Sequence, residues 1–207
     1  MAKPRQAPVI KRRIPRQARA AETVAAIREA AAQVLEAGGL AAFTTNAVAE
    51  RAGVSIGTLY QYFADKDAIL RSIAEHELAA TLANVARAMT AGEDAPEDER
   101  ARAVVRAIVN AFRGRQRARK AIVQALFSQT GGSAFQQPVA AFISANAIGR
   151  LSEEQTFVLS RGLLGAIRSA VLEEQRFLKS RSFEDELVRL VLAYLGSINS
   201  VTHSSPS

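Results

Sequence analysis

Apolar residues in this chain recur at steps of three and four, and no segment alternates convincingly at period two. A three-to-four step gathers apolar groups onto one stripe of a helix, whereas a half-buried strand needs alternation. The fold class that follows is all-α, with about nine helices. Val24, Ile27, Ala31, Val34 and Leu35 mark a first helix, ended by Gly38-Gly39. Short helical pieces fill 44–63. Asp65 is placed to cap a long helix carrying Ile69, Leu70, Ile73, Leu78 and Leu82 toward Met89. Asp94 and Glu97 have capping-box spacing ahead of Val104, Val105, Ile108, Val109 and Phe112. Helical segments at 119–129 and 138–149 flank the connection Gly131-Gly132-Ser133. Ser152 with Gln155 opens a helix through Phe157, Leu164, Ile167 and Val171 to Lys179. The last helix starts near Ser182 and is expected to bury Leu187, Leu190, Val191, Tyr194, Leu195 and Ile198.

Charge is distributed unevenly along this helical chain. The net charge is +7, from 27 Lys and Arg against 20 Asp and Glu. Seven of the cations (Lys3, Arg5, Lys11, Arg12, Arg13, Arg16 and Arg19) and no acid fall in residues 1–20. With Pro4, Pro8 and Pro15 and little apolar surface, 1–20 is expected to be a disordered basic arm. The rest is formally neutral, so the arm is an electrostatic hook for a polyanion on a neutral globule. Nucleic acid is the first candidate. A membrane-surface or interaction role for the polybasic arm is the alternative, but no lipidation motif accompanies it.

Several classes drop out. A 48% hydrophobic composition supplies a sizeable core, and the absence of cysteine removes disulfides, cysteine-ligated zinc and thiol nucleophiles. No apolar run approaches the length of about 18 residues needed to span a bilayer. Ala7-Pro8-Val9-Ile10 leads into Lys11-Arg12-Arg13 instead of a signal-peptide core, so a cytoplasmic protein without a membrane partner is expected. Catalysis would rest on His76, flanked by Glu75 and Glu77, since His203 lies in the tail 200–207, which is expected to fray. Neighbours at i±1 point to different helix faces, and metal-ligand spacing is absent. No enzyme, metal or cofactor is expected.

Residues 43–66 carry the most information. Thr44 can cap a helix with Val48, Ala49 and Ala52 on its inner side, ended by Gly53 in the left-handed conformation. Ser55 then caps a very short helix with Leu59 and Phe63 inward. Two short helices about a tight glycine turn are a helix-turn-helix, whose second helix enters the major groove of DNA. Its outward residues are Ser55, Ile56, Gly57, Thr58, Tyr60 and Tyr62, with no charge among them. Gly57 permits close approach, and Thr58 and Ile56 suit base edges or a thymine methyl. Tyr60, Tyr62 and Thr45 have the reach for phosphate oxygens, and Lys66 adds a charged contact.

Residues 22–73 resemble the DNA-binding domain of the TetR (tetracycline-repressor) family of transcriptional regulators. The resemblance rests on Thr44-Thr45, Val48-Ala49, Ala52-Gly53-Val54-Ser55, the run Gly57-Thr58-Leu59-Tyr60-Gln61-Tyr62-Phe63, and Asp65-Lys66. It implies a ligand-responsive regulator, most often a repressor. Such a protein binds a palindromic double-stranded DNA operator as a homodimer and is released by a small-molecule effector. By position, Thr45, Asn46, Tyr60, Tyr62 and Lys66 would hold the DNA backbone, and Ser55, Ile56, Gly57 and Thr58 would sit over bases, with Thr44 also counted among the DNA-binding residues. Ile56 stands where the family often has a polar residue. Residues 21–80 hold four cations against eight acids, so long-range attraction falls to the arm, with Arg12, Arg13, Arg16 and Arg19 in an adjacent minor groove.

The resemblance divides the chain into the arm 1–20, a DNA-binding domain 21–66, an effector-binding and dimerisation domain 67–199, and the tail. It implies dimer contact through the last two long helices, where Gly162, Gly165, Ala166 and Ala170 permit close approach. Candidate effector contacts are Met89, Phe112, Phe127, Phe135 and Phe142, with Asn110 and Gln124 as polar partners, and an apolar ligand is mildly favoured. Arg113, Arg115, Arg117, Arg119 and Lys120 form a basic run that reads as a solvated loop or as an attractor of an anionic ligand or DNA.

Overall fold

The computed structural model describes residues 16–91, 94–130 and 151–202, and every regular element among them is a helix. Eight α-helices follow in order: α1 (Arg16–Ala42), α2 (Thr45–Ala52), α3 (Ile56–Tyr62), α4 (Lys66–Ala91), α5 (Glu97–Ala111), α6 (Gln116–Thr130), α7 (Glu153–Leu172) and α8 (Arg181–Thr202). A 3₁₀ turn, Arg176–Lys179, joins the last two. The helix expected at 138–149 and the connection at 131–133 lie outside the described residues.

Two buried clusters share one helix. Ile27, Ala31 and Leu35 of α1 meet Val48 and Ala49 of α2, Leu59 of α3, and Ile69, Leu70 and Ile73 of α4. Ala118, Ala121 and Ile122 of α6 close this cluster from the other side. The second cluster joins Val105 and Val109 of α5 to Leu163, Ile167 and Val171 of α7 and to Leu187 and Val188 of α8, and α6 contributes Val123. Leu78 of α4 packs with Leu164 of α7 between them. Helix α6 thus has one face in each core, and the apolar stripe of α4 spans from the first core to the junction.

Helix ends follow local chemistry, with four departures from the sequence reading. First, α1 starts at Arg16, so residues 16–20 of the expected disordered arm are helical. Ala18, Ala20 and Ala21 favour helix, and the Thr23 hydroxyl donates to the Arg19 carbonyl at 2.9 Å. Gly39 breaks the helix as expected, with φ 63° and ψ −161°. Second, the Asp94–Glu97 box does not form. Pro96 precedes α5 without a side-chain cap, and Glu97, Asp98 and Glu99 offset the positive helix end instead.

Third, α7 stops at Leu172, short of the expected Lys179. Glu174 adopts φ 56°, its N–H donates to the Val171 carbonyl at 3.2 Å, and the Gln175 N–H donates to Ala170 at 2.9 Å. This is a Schellman end built without glycine, so no glycine signal marked it. The Ser152–Gln155 capping box does form at the other end of α7, at 3.2 and 2.8 Å. Fourth, α8 continues to Thr202, past the expected boundary at 199. Leu190, expected inside, is 44% exposed, and Phe157 of α7 is 56% exposed.

Candidate nucleic-acid interface

The turn between α2 and α3 is set by backbone bonds. The Thr44 hydroxyl accepts from the Ala47 N–H at 3.1 Å. Gly53 sits at φ 67°, ψ 30°, where the Gly53 N–H reaches Glu50 at 3.1 Å and the Val54 N–H reaches Ala49 at 3.0 Å. A side chain at that φ would be strained, so glycine is needed there. Ser55 then caps α3, its Oγ accepting from the Thr58 N–H at 3.0 Å. Leu59 and Phe63 turn into the core. Asp65 caps α4 by accepting from the Ala68 N–H at 2.7 Å. All four expected caps and stops in this segment are present.

The outer face of α3 is uncharged. Tyr60 is 52% exposed, Ile56 39% and Tyr62 37%, and Gly57 and Gln61 are exposed beside them. Tyr60 Oη lies 3.2 Å from Thr45 Oγ1, which ties the two helices together at the surface. Ser55 Oγ and Thr58 Oγ1 are 2.8 Å apart, and Thr58 is only half exposed. The structure therefore leaves Ile56, Gly57, Tyr60 and Tyr62 exposed on α3 and joins Tyr60 to the half-exposed Thr45 of α2, and Asn46 and Lys66 are exposed as well. It also gives the hydroxyls of Thr44 and Ser55 a capping task and sets the Thr58 hydroxyl against that of Ser55. Arg19 is exposed on α1; Arg12, Arg13 and the side chain of Arg16 lie outside the described residues.

The basic run is not a solvated loop. Arg115 holds Glu29 of α1 with two bonds at 3.1 and 2.5 Å, and Arg117 reaches the Ala37 carbonyl at 3.3 Å. Arg119 pairs with Glu77 of α4, Lys120 with Glu174, and Arg113 with the buried Glu184 of α8. Glu184 is also 3.4 Å from Arg106. Hydrogen bonding from Arg115, then Gln33, holds the Glu29 carboxyl below its ordinary 4.5. Burial pushes Glu77 above 4.5 against the pull of Arg119.

Sequence reasoning missed two features of this seam. Glu36 Oε2 of α1 accepts from the Ala118 N–H at 3.0 Å and so caps α6 from 82 residues away. Gln33 donates to Glu29 at 2.8 Å and accepts from Arg51 Nε of α2 at 2.6 Å. Together with Arg115 this forms a polar chain from the start of α6, across α1, to α2. The Glu29–Gln33 pair has ordinary i,i+4 spacing, but the Glu36–Ala118 and Gln33–Arg51 contacts follow no fixed spacing, so no motif announces them.

Of the effector candidates, Met89 is half-buried on α4. Phe112 is 7% exposed within the second core. Asn110 faces outward and accepts from Arg113 Nη1 at 2.9 Å; this corrects its placement on an inner face, since α5 turns its Val105–Val109 stripe inward instead. Gln124 is exposed. The side chain of Phe127, and Phe135 and Phe142 entirely, lie outside the described residues. His76 and Glu75 are exposed while Glu77 turns toward Arg119, so these three do not converge. Among the described residues no cluster of three or more His, Asp or Glu is placed to hold a metal. No described helix is long and apolar enough to cross a membrane.

Residues 27–73 match the bacterial regulatory proteins of the tetR family. The HTH-type transcriptional regulator BetI of Burkholderia thailandensis is 39% identical over 79 residues, which is 38% of this chain and 40% of that protein. The crystal structure of a TetR-family transcriptional regulator from Streptomyces coelicolor superposes with a TM-score of 0.61 at 20% identity. The superposition covers 84% of this chain and 98% of the other. The TetR-like regulator LfrR from Mycobacterium smegmatis, in complex with proflavine, gives 0.50 at 22% identity over 83% and 95%.

Proposed function

We propose that this chain, whose residues 27–73 match the bacterial regulatory proteins of the tetR family, is a cytoplasmic, homodimeric, ligand-responsive regulator that represses by binding a palindromic operator. The observation that carries the reading is the uncharged outer face of α3, held against α2 by the Gly53 turn and the Thr45–Tyr60 contact. A rigid, exposed, short helix with a glycine in its first turn suits insertion into a major groove. Thr45, Asn46, Tyr60, Tyr62 and Lys66 lie along phosphates, and the arm supplies the attraction that residues 21–80, with four cations and eight acids, lack.

Dimer formation is supported by apolar surface on the last two helices. Val158 is 52% exposed and Leu190 44%, and between them Gly162 leaves only Leu190 Cδ2 near the place of its missing Cβ, at 3.9 Å. Small residues flanked by exposed apolar anchors fit a second copy of the same face. Effector response is supported by the likeness in fold to LfrR, which binds proflavine. An effector acts here only by binding one arrangement of the dimer better than the other.

Selection of the full-length protein against a random duplex pool tests the reading. Enrichment of an inverted repeat with half-site centres about 10 bp or a multiple apart is expected. No enrichment over a scrambled duplex at about 0.15 M salt refutes it.

A further inference from the structure

The recognition surface is short of polar readers. Residues 55–62 read Ser-Ile-Gly-Thr-Leu-Tyr-Gln-Tyr, with no Lys or Arg. Bidentate reading of guanine O6 and N7 needs a cationic side chain, and the nearest upstream cation, Arg51, has its Nε on Gln33 at 2.6 Å. The hydroxyls expected over bases already hold hydrogen bonds within the protein, at its surface. Ser55 Oγ accepts from the Thr58 N–H at 3.0 Å and sits 2.8 Å from Thr58 Oγ1. Thr58 is half-buried, and Tyr60 is tied to Thr45. Gln61 is exposed but stands more than a turn beyond the first helical residue.

What remains at the leading end of α3 is Ile56, 39% exposed, beside Gly57, which adds no side chain to hold a base pair away. In helix-turn-helix proteins the early residues of the second helix meet the base edges. Only thymine presents an apolar group in the major groove, its C5 methyl. An aliphatic side chain left in water gains by covering that methyl and gains nothing comparable from guanine, cytosine or adenine.

We infer that Ile56 is a specificity-determining residue that reads the 5-methyl group of a thymine in each operator half-site by apolar contact. The inference rests on the proposed function, because it presumes that α3 enters the groove.

The test takes the best site from the pool selection and replaces its thymines, one symmetric pair at a time, with deoxyuridine, which removes only the methyl. For one pair the wild-type protein is expected to lose about fourfold in affinity per half-site. Ile56→Ala should bind the thymine and deoxyuridine sites to within about twofold of each other. Ile56→Val, which keeps an apolar β-branched group, should retain the thymine dependence. Helical circular dichroism and thermal melting check that both variants fold, and Ile56→Val carries the test should Ile56→Ala bind no site. A selected site with no deoxyuridine-sensitive thymine overturns the inference alone. So does a methyl dependence that persists in Ile56→Ala, or one that Ile56→Val loses. Failure to select any site overturns the proposed function and the inference with it.

Discussion

Glu36 offers the sharpest test of how the two cores are joined. Helix α6 begins at Gln116, so Ala118 is its third residue and its N–H has no carbonyl one turn back within the helix. The amide is buried, Ala118 being 3% exposed, and Glu36 Oε2 of α1 is its acceptor at 3.0 Å. Glu36→Ala strands that N–H, at about 1–3 kcal/mol for an unsatisfied buried donor. It also removes a negative charge from a helix N-terminus, for about 0.3–1 kcal/mol more. The expected loss is therefore about 2–3 kcal/mol. Glu36→Gln keeps an amide oxygen in place and loses only the charge, about 0.5 kcal/mol. In urea, with a slope of about 2–3 kcal/mol/M for a chain this size, the midpoint falls by about 1 M for the alanine and about 0.2 M for the glutamine. Both are measured at one protein concentration, because any self-association would shift apparent stability. Equal midpoints for the two variants would refute the capping role.

Four further outcomes are expected. Gly53→Ala meets nothing within 4 Å, so its effect is purely conformational, about 1–2 kcal/mol from the left-handed φ, read as a lower melting temperature. Glu29 and Asp185 are held below their ordinary 4.5 and 3.8 by hydrogen bonds from Arg115 and Arg102. Their stabilisation is present above those values and is lost as pH falls through the depressed ones. Glu77, raised chiefly by burial, works in the opposite sense, losing stability as pH climbs from 4.5 through its raised value. Urea midpoints between pH 7 and 3 should thus fall less steeply for Glu29→Gln than for the wild type, and parallel curves would contradict this. Replacing Arg12, Arg13, Arg16 and Arg19 with glutamine should reduce the slope of log affinity against log salt by up to about 3–4 while sequence preference persists. Val158→Arg and Leu190→Arg should sediment as monomers if α7 and α8 form the dimer face.

The division between what was legible in the sequence and what was not follows the range of the interactions. Caps, glycine stops and apolar stripes act within a turn or two. Thr44, Gly53, Ser55, Asp65 and the Ser152–Gln155 box were therefore readable, and with them the helix-turn-helix. The end of α7 was not, because Glu174 adopts a conformation that usually selects glycine, and the chain beyond it continues with helix-compatible residues. The side of α8 that carries Leu190 was misjudged because an apolar stripe has the same spacing whether it meets its own core or another molecule. The basic run was misjudged for the related reason that its acids come from α1, α4, the turn after α7, and α8.

Those long-range acids give the seam its mechanical character. Arg115–Glu29 is about half exposed on both sides and stabilises little by itself, and the Gln33–Arg51 continuation is likewise at the surface. Arg119–Glu77 is more deeply set, at 17% and 32% exposure, and Ala118 lies fully inside. A motion of α6 along its axis would therefore pull on α1 through Glu36 and Glu29, on α4 through Glu77, and on α2 through Gln33 and Arg51. Because Ala118, Ala121 and Ile122 also pack into the core shared with α1 and α4, α6 cannot move far without leaving a cavity there.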